Sequence, residues 1–194
     1  STCDACGHPT AELGQHPLCR SCRPTVVNQP TVATARARAV RRRLERRGIL
    51  IGSRSVRYGL ARVPNPGHNS LGIARATWSR AANGSSSCRI DIVIKRGLPA
   101  LQFDAVVAHE LTHAWLRIHD VSPSEVVEEG VAELTSFWFL GHVRGSRAAA
   151  IRHQIATNRD HVYGRGFRLA MKAEQRHGWS RVADSLLRTG HLPR

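Results

Sequence analysis

The sequence predicts an α+β fold: a small, mainly antiparallel sheet, a helical half that follows it, and a metal-held module at the N-terminus. Residues 49–95 alternate apolar and polar side chains between turn signals, the pattern of half-buried strands. From residue 97 onward the apolar positions recur at helical spacing instead. Four of the five cysteines fall within the first 22 residues. With 194 residues, the chain can build one well-buried core and a small appendage.

The cysteines form two knuckles, Cys3-x-x-Cys6 and Cys19-x-x-Cys22, with 12 residues between them. Thiolates with two residues between them across a tight turn reach one tetrahedral ion, and two such knuckles complete its shell. Two disulfides are the competing reading and would suit a secreted chain. The spacing favours one structural zinc, hence a reducing, cytoplasmic setting. Cys88 reads as a small buried apolar residue. Residues 1–24 are therefore expected to be a zinc-ribbon-like module, too small for a core and held by its metal. Residues 25–48 supply a Pro-bounded linker and an arginine-rich helix ended by Gly48. Residues 49–194 make the main domain.

Within that domain, residues 56–63, 71–79 and 88–95 are the strand candidates. A loop is expected at 64–70 and a turn at Asn83-Gly84. Asp104 is a plausible N-cap for a helix over 105–119, and Ser122 or Ser124 opens another over 125–139. Helices near 147–157, 167–177 and 180–189 complete the chain. No charged-then-apolar leader and no membrane-length apolar run is present. The chain begins at Ser1 rather than Met, as a processed or trimmed chain would.

A formal charge of +15 invites a nucleic-acid partner. However, 27 of the 29 basic residues are arginine, which fits a GC-rich coding bias equally well. No nucleic-acid motif accompanies the charge, so that partner is only weakly supported.

The chemistry concentrates in His109-Glu110-Leu111-Thr112-His113. Residues four apart on a helix share a face, so two imidazoles can hold one ion while Glu110 reaches a water bound there. Chance alone yields such a pattern in roughly one chain of this composition in 40, so context must decide. A catalytic zinc needs a third protein ligand. The following helix offers Glu125, Glu128, Glu129 and Glu133 among Val126, Val127, Val131, Leu134, Phe137 and Trp138, and carboxylates on so apolar a helix need partners. Gly130 beside Glu129 permits close helix approach. Glu129 is the expected ligand, Glu128 its rival, and Glu133, one turn on, would accept a hydrogen bond from a ligand histidine's other nitrogen. Glu110 would be the general base for attack on a carbonyl. Tyr163 and His153 are both candidates to donate to the developing oxyanion.

Gly97-Leu98-Pro99, Ala108-His109-Glu110-Leu111-Thr112-His113-Ala114-Trp115-Leu116-Arg117 and Val127-Glu128-Glu129-Gly130 together resemble the peptidase domain of the DA-one family. Those proteins are zinc metallopeptidases best known from plants, where a LIM domain precedes the catalytic part. The resemblance continues through His153-Gln154-Ile155-Ala156, Tyr163-Gly164-Arg165-Gly166-Phe167-Arg168 and Thr189-Gly190-His191-Leu192-Pro193, covering roughly residues 50–194. It implies a gluzincin-like zinc peptidase, an endopeptidase with a second, structural zinc. The Glu-Gly-x-Ala segment is similar to the third-ligand segment of gluzincins, which favours Glu129 over Glu128. The four-cysteine module is shorter than a LIM domain and looks like a zinc ribbon or a LIM remnant. The arginine bias suits a bacterial member.

The expected partner is a protein or peptide substrate, with a further protein partner possible through the N-terminal module and no membrane. Two other readings compete. A DNA-associated SprT-like protease would account for the charge, but that family uses a third histidine and places its ribbon after the metal helix. A non-enzymatic zinc-binding adaptor would leave Glu110 without a purpose.

Overall fold

The computed structural model describes the chain from Ser1 to Arg194 apart from residues 12, 15 and 67–69. Parts of the expected cysteine module and of the expected 64–70 loop therefore lie outside the described residues.

The N-terminal segment folds as two turns. Cys3 O accepts from Gly7 N at 2.8 Å, and Cys19 O accepts from Cys22 N at 3.0 Å. These turns bring the four thiols together, their Sγ atoms all within 4.8 Å of one another. All five cysteines are free, so the two-disulfide alternative does not describe the fold. The linker then pairs with the segment ahead of the histidine helix. Val27 N donates to Leu98 O at 2.9 Å, and Gly97 N to Val27 O at 3.2 Å.

Helix α1 spans Pro30–Arg46, with Pro30 at a position where a missing N–H costs nothing. Ala33, Ala37, Val40 and Leu44, three or four apart, are its buried face. The sheet comprises β1 (Ser55–Ala61), β2 (Gly72–Arg80) and β3 (Ser86–Lys95) in the order β1-β3-β2. The β2–β3 hairpin is antiparallel, with Gly72 opposite Ile94, as the Asn83-Gly84 turn dictates. The β1–β3 ladder runs parallel, Val56 opposite Ile90. Side-chain alternation is the same in both pairings, so the sequence pattern does not distinguish them. Ile90, Ile92 and Ile94 on the central strand are fully buried.

Helix α2 runs Ala100–Ile118 and α3 Glu125–Gly141. After them come α4 (Ser146–Thr157), α5 (Tyr163–His177) and α6 (Trp179–Thr189). The expectation that Asp104 caps α2 is corrected: the helix begins at Ala100, five residues before the expected start, after Pro99. Asp104 lies within it, buried, and accepts from Arg36 Nε at 2.9 Å and Nη2 at 2.6 Å. That bidentate pair ties α1 to α2 across 68 residues of sequence, a separation no local capping rule detects. One contiguous buried cluster runs from the four cysteines through α1 and the sheet to α2. A second, Val131, Leu134, Phe167, Ala170, Val182 and Leu186, joins α3 to α5 and α6.

Arg47 closes the join between the two halves. Its guanidinium lies 4.7 Å from the Trp138 ring and 4.1 Å from the Trp179 ring, and Nη2 donates to Glu174 Oε1 at 2.9 Å. Burial pulls its pKa down to about 10 against the opposing pull of Glu174. Arg47→Ala leaves Glu174 without its cation and two indoles without their sandwiched plane, and is expected to cost about 3 kcal/mol. Urea unfolding at an unchanged m value measures this, and a loss below about 1 kcal/mol would contradict the packing described.

Candidate metal centre

His109 and His113 lie one turn apart on the face of α2 that meets α3, with ring centroids 4.8 Å apart. Both rings turn Nε2 toward the same carboxylate. Glu129 Oε2 is 3.0 Å from His109 Nε2 and 3.5 Å from His113 Nε2. An ion with bonds of about 2.1 Å at tetrahedral angles would separate its ligand atoms by roughly 3.4 Å. The three groups therefore fit a metal ion, and their donor set is one that zinc takes. The four thiols fit equally well: Cys6 and Cys19 Sγ stand 3.9 Å apart, close to the roughly 3.8 Å edge of a tetrahedral zinc–thiolate centre.

The opposite ring nitrogens are also occupied. His109 Nδ1 is 3.1 Å from Glu133 Oε1, and His113 Nδ1 is 2.7 Å from Glu128 Oε1. Glu128, the rival ligand on sequence grounds, thus sits behind His113, while Glu129 sits between the two imidazoles. Arg117 lengthens this chain. Its Nη2 is 3.7 Å from Glu128 Oε1, and its Nη1 donates to Ala74 O at 2.6 Å. The sequence reading attached no role to Arg117. Its signal would have been a cation one turn beyond His113, on the same helix face.

Electrostatics follow from this crowding. Burial depresses both histidine pKa values, but the facing carboxylates outweigh it and raise His109 and His113 above the usual range. Burial pushes Glu129 upward, yet its hydrogen bonds to the two imidazoles bring it far below the ordinary carboxylate range. Glu110 behaves oppositely. Burial raises its carboxyl, partly countered by His109 and His113. Among the described residues the Glu110 carboxylate makes no hydrogen bond or ion pair.

Three glycines make room for this arrangement. A Cβ on Gly72 would stand 2.8 Å from Glu110 Oε1 and from Val106 Cγ1, so any larger residue would push the Glu110 and Val106 side chains away from β2. A Cβ on Gly130 would collide with the Gly166 backbone, and one on Gly166 with Val126 O. Backbone-to-backbone contact of α3 and α5 at these two glycines brings Tyr163, at the start of α5, to 6.4 Å between ring centroids from His109. Burial and then Glu129 and Glu133 push the Tyr163 hydroxyl up to about 12, so it remains a donor at neutral pH. His153 is not brought to the site. It is exposed on α4, two residues from Ile151 and from Ile155, which do line the cleft. Residues two apart on a helix face opposite ways, and His153 is not among the residues that line the cleft.

The cleft above the histidines has a volume of about 600 Å³. Its roof is β2, an edge strand. Leu71 O accepts from Lys95 N at 2.7 Å, so in this register Ile73 and Arg75 exchange bonds with β3 while Gly72 and Ala74 turn theirs outward. Among the described residues, no helix is long and apolar enough to cross a membrane.

The DA1-like family, described as Protein DA1, matches residues 24–152. Protein DA1-related 2 of Arabidopsis thaliana is 26% identical over 187 residues, covering 77% of this chain and 34% of its own length. Protein DA1 of the same plant is 28% identical over 131 residues, covering 53% and 25% respectively. The LIM domain-containing protein HDR3 of Oryza sativa subsp. japonica is 23% identical over 187 residues, covering 77% and 37%. The chain thus spans about a quarter to a third of the length of these curated relatives. No solved structure matches. With two thirds of its length matched to the family, the chain belongs to the DA1-like family.

Proposed function

We propose that this chain is a zinc-dependent peptidase, with His109, His113 and Glu129 holding the catalytic ion, Glu110 acting as general base, and the four cysteines holding a structural zinc. The observation that carries the reading is the contrast between two neighbouring carboxylates. Glu129, from the facing helix, is locked between two imidazoles, whereas the Glu110 carboxylate, beside them on their own helix, is buried at the cleft with no partner among the described residues. A purely structural metal site has no use for the second.

When bound, zinc supplies a Lewis acid that polarises the scissile carbonyl and acidifies a coordinated water. Glu110 takes the proton from the attacking water, and the burial that raises its pKa makes it the stronger base for that step; the same carboxyl then passes the proton on to the leaving amine. Tyr163, protonated throughout the neutral range, donates to the oxyanion that attack creates. Glu133 and Glu128 hold the two imidazoles by Nδ1, fixing ring orientation and raising the basicity of Nε2. The outward N–H and C=O of Gly72 offer an extended peptide two main-chain hydrogen bonds beside Glu110. Membership of the DA1-like family supports the same reading.

Glu110→Gln is expected to retain two zinc ions per chain and to slow cleavage of a broad peptide mixture by about 10²-fold or more. Metal analysis and mass spectrometry of the digest read the two quantities, and a variant as active as the native chain removes the general base from the account. Glu128→Ala and Glu133→Ala are each expected to weaken zinc at the histidine site about 10- to 100-fold while leaving the cysteine site loaded. Competition with a chromogenic chelator resolves the two sites, and equal affinities in both variants and the native chain would contradict the orienting roles.

A further inference from the structure

The cleft has two chemically different ends. One is fixed by Ser136, whose Oγ donates to Ala105 O at 2.8 Å, and by Gly72 lying against Val106. Four apolar side chains line the cleft on this side, one of them within and three packed against the same buried cluster: Ile151 and, against it, Leu71 ahead of β2, Val106 on α2 and Ile155 one turn on along α4. Leu71, Val106 and Ile155 are only partly covered by the chain itself. The other end holds Ala74, Arg117 and Glu125 and is charged. The apolar wall is also fixed in place. Arg147 on α4 donates from Nη1 to Ser21 O at 2.6 Å, and the Gln154 side chain fills the space beside Gly7, so the cysteine module braces the helix.

We infer that the Leu71–Val106–Ile151–Ile155 end is a specificity pocket that takes one apolar side chain flanking the peptide bond to be cleaved. This rests on the peptidase reading above and names its substrate class: extended segments carrying a branched or aromatic residue next to the scissile bond. An extended peptide laid along Gly72 points successive side chains to opposite sides, so only one of any neighbouring pair enters the pocket. Partly exposed apolar groups bordering a cleft gain from being covered, and an apolar pocket discriminates by size at about tenfold per methylene. The charged end offers no such gain.

The test is the cleavage profile of the native, zinc-loaded chain on a proteome-derived peptide library. It is paired with binding of matched Leu- and Ser-containing peptides to Glu110→Gln, which needs no turnover. The pocket predicts that one position flanking the cleaved bond is enriched in Leu, Ile, Met or Phe, and that the Leu peptide binds about tenfold tighter. Ile155→Ala should move the preference toward larger side chains and Ile155→Phe toward smaller ones, opposite shifts that general destabilisation does not produce. If either fails to fold, Leu71→Ala enlarges the same pocket from the strand side and must shift the profile as Ile155→Ala would. Cleavage with a flat flanking profile, or a profile unmoved by the variants, overturns the pocket and leaves the peptidase reading standing. Absence of any cleavage by the native chain overturns both.

Discussion

Two imidazoles wedged among three carboxylates, between helices α2 and α3, are the interaction on which the rest of this structure depends. His109, His113, Glu128, Glu129 and Glu133 are all at least partly withdrawn from water. Groups of this kind are costly to bury unless each is matched by a partner. Here every ring nitrogen faces a carboxylate oxygen, at 2.7 to 3.5 Å. The arrangement tolerates little displacement, because moving one helix relative to the other would strand a charge. The facing carboxylates hold both imidazole pKa values above the usual range, and a bound divalent ion would compete with protons for the same nitrogens.

The rigidity that this cluster needs comes from close packing around it. Gly130 against Gly166 lets α3 and α5 touch through their backbones, and Gly72 lets the sheet edge rest on Glu110. Arg36 to Asp104 and Arg47 to Glu174 tie the arginine-rich helix to the two halves of the helical layer. Two of the arginines, one on α1 and one at its end, are therefore structural ties.

Local signals in the sequence carry a good deal of this. Helical spacing put His109 and His113 on one face, the paired knuckles put four thiols together, and alternation located three strands to within a few residues. What stayed hidden depends on contacts far apart in the chain. Asp104 looks like a helix cap until Arg36, 68 residues earlier, is seen to hold it. Parallel pairing of β1 with β3 leaves the same side-chain alternation as antiparallel pairing would. The different surroundings of Tyr163 and His153 turn on the Gly130–Gly166 contact, which brings the start of α5 over His109. They also turn on the facing of α4, which sends His153 to solvent. Glu128 and Glu129 are neighbours in sequence, and only the rotation of α3 about its axis sends one behind His113 and the other between the rings.

Anomalous diffraction at the zinc edge from crystals of the metal-loaded chain tests the central claim most directly. The account predicts two peaks. One lies at the centre of the four thiols, and the other lies about 2.1 Å from His109 Nε2, His113 Nε2 and a Glu129 oxygen, with Glu110 outside bonding distance. A second peak bonded to Glu110 or Glu128 in place of Glu129, or no peak at the histidine pair in a crystal whose thiols are loaded, would contradict it.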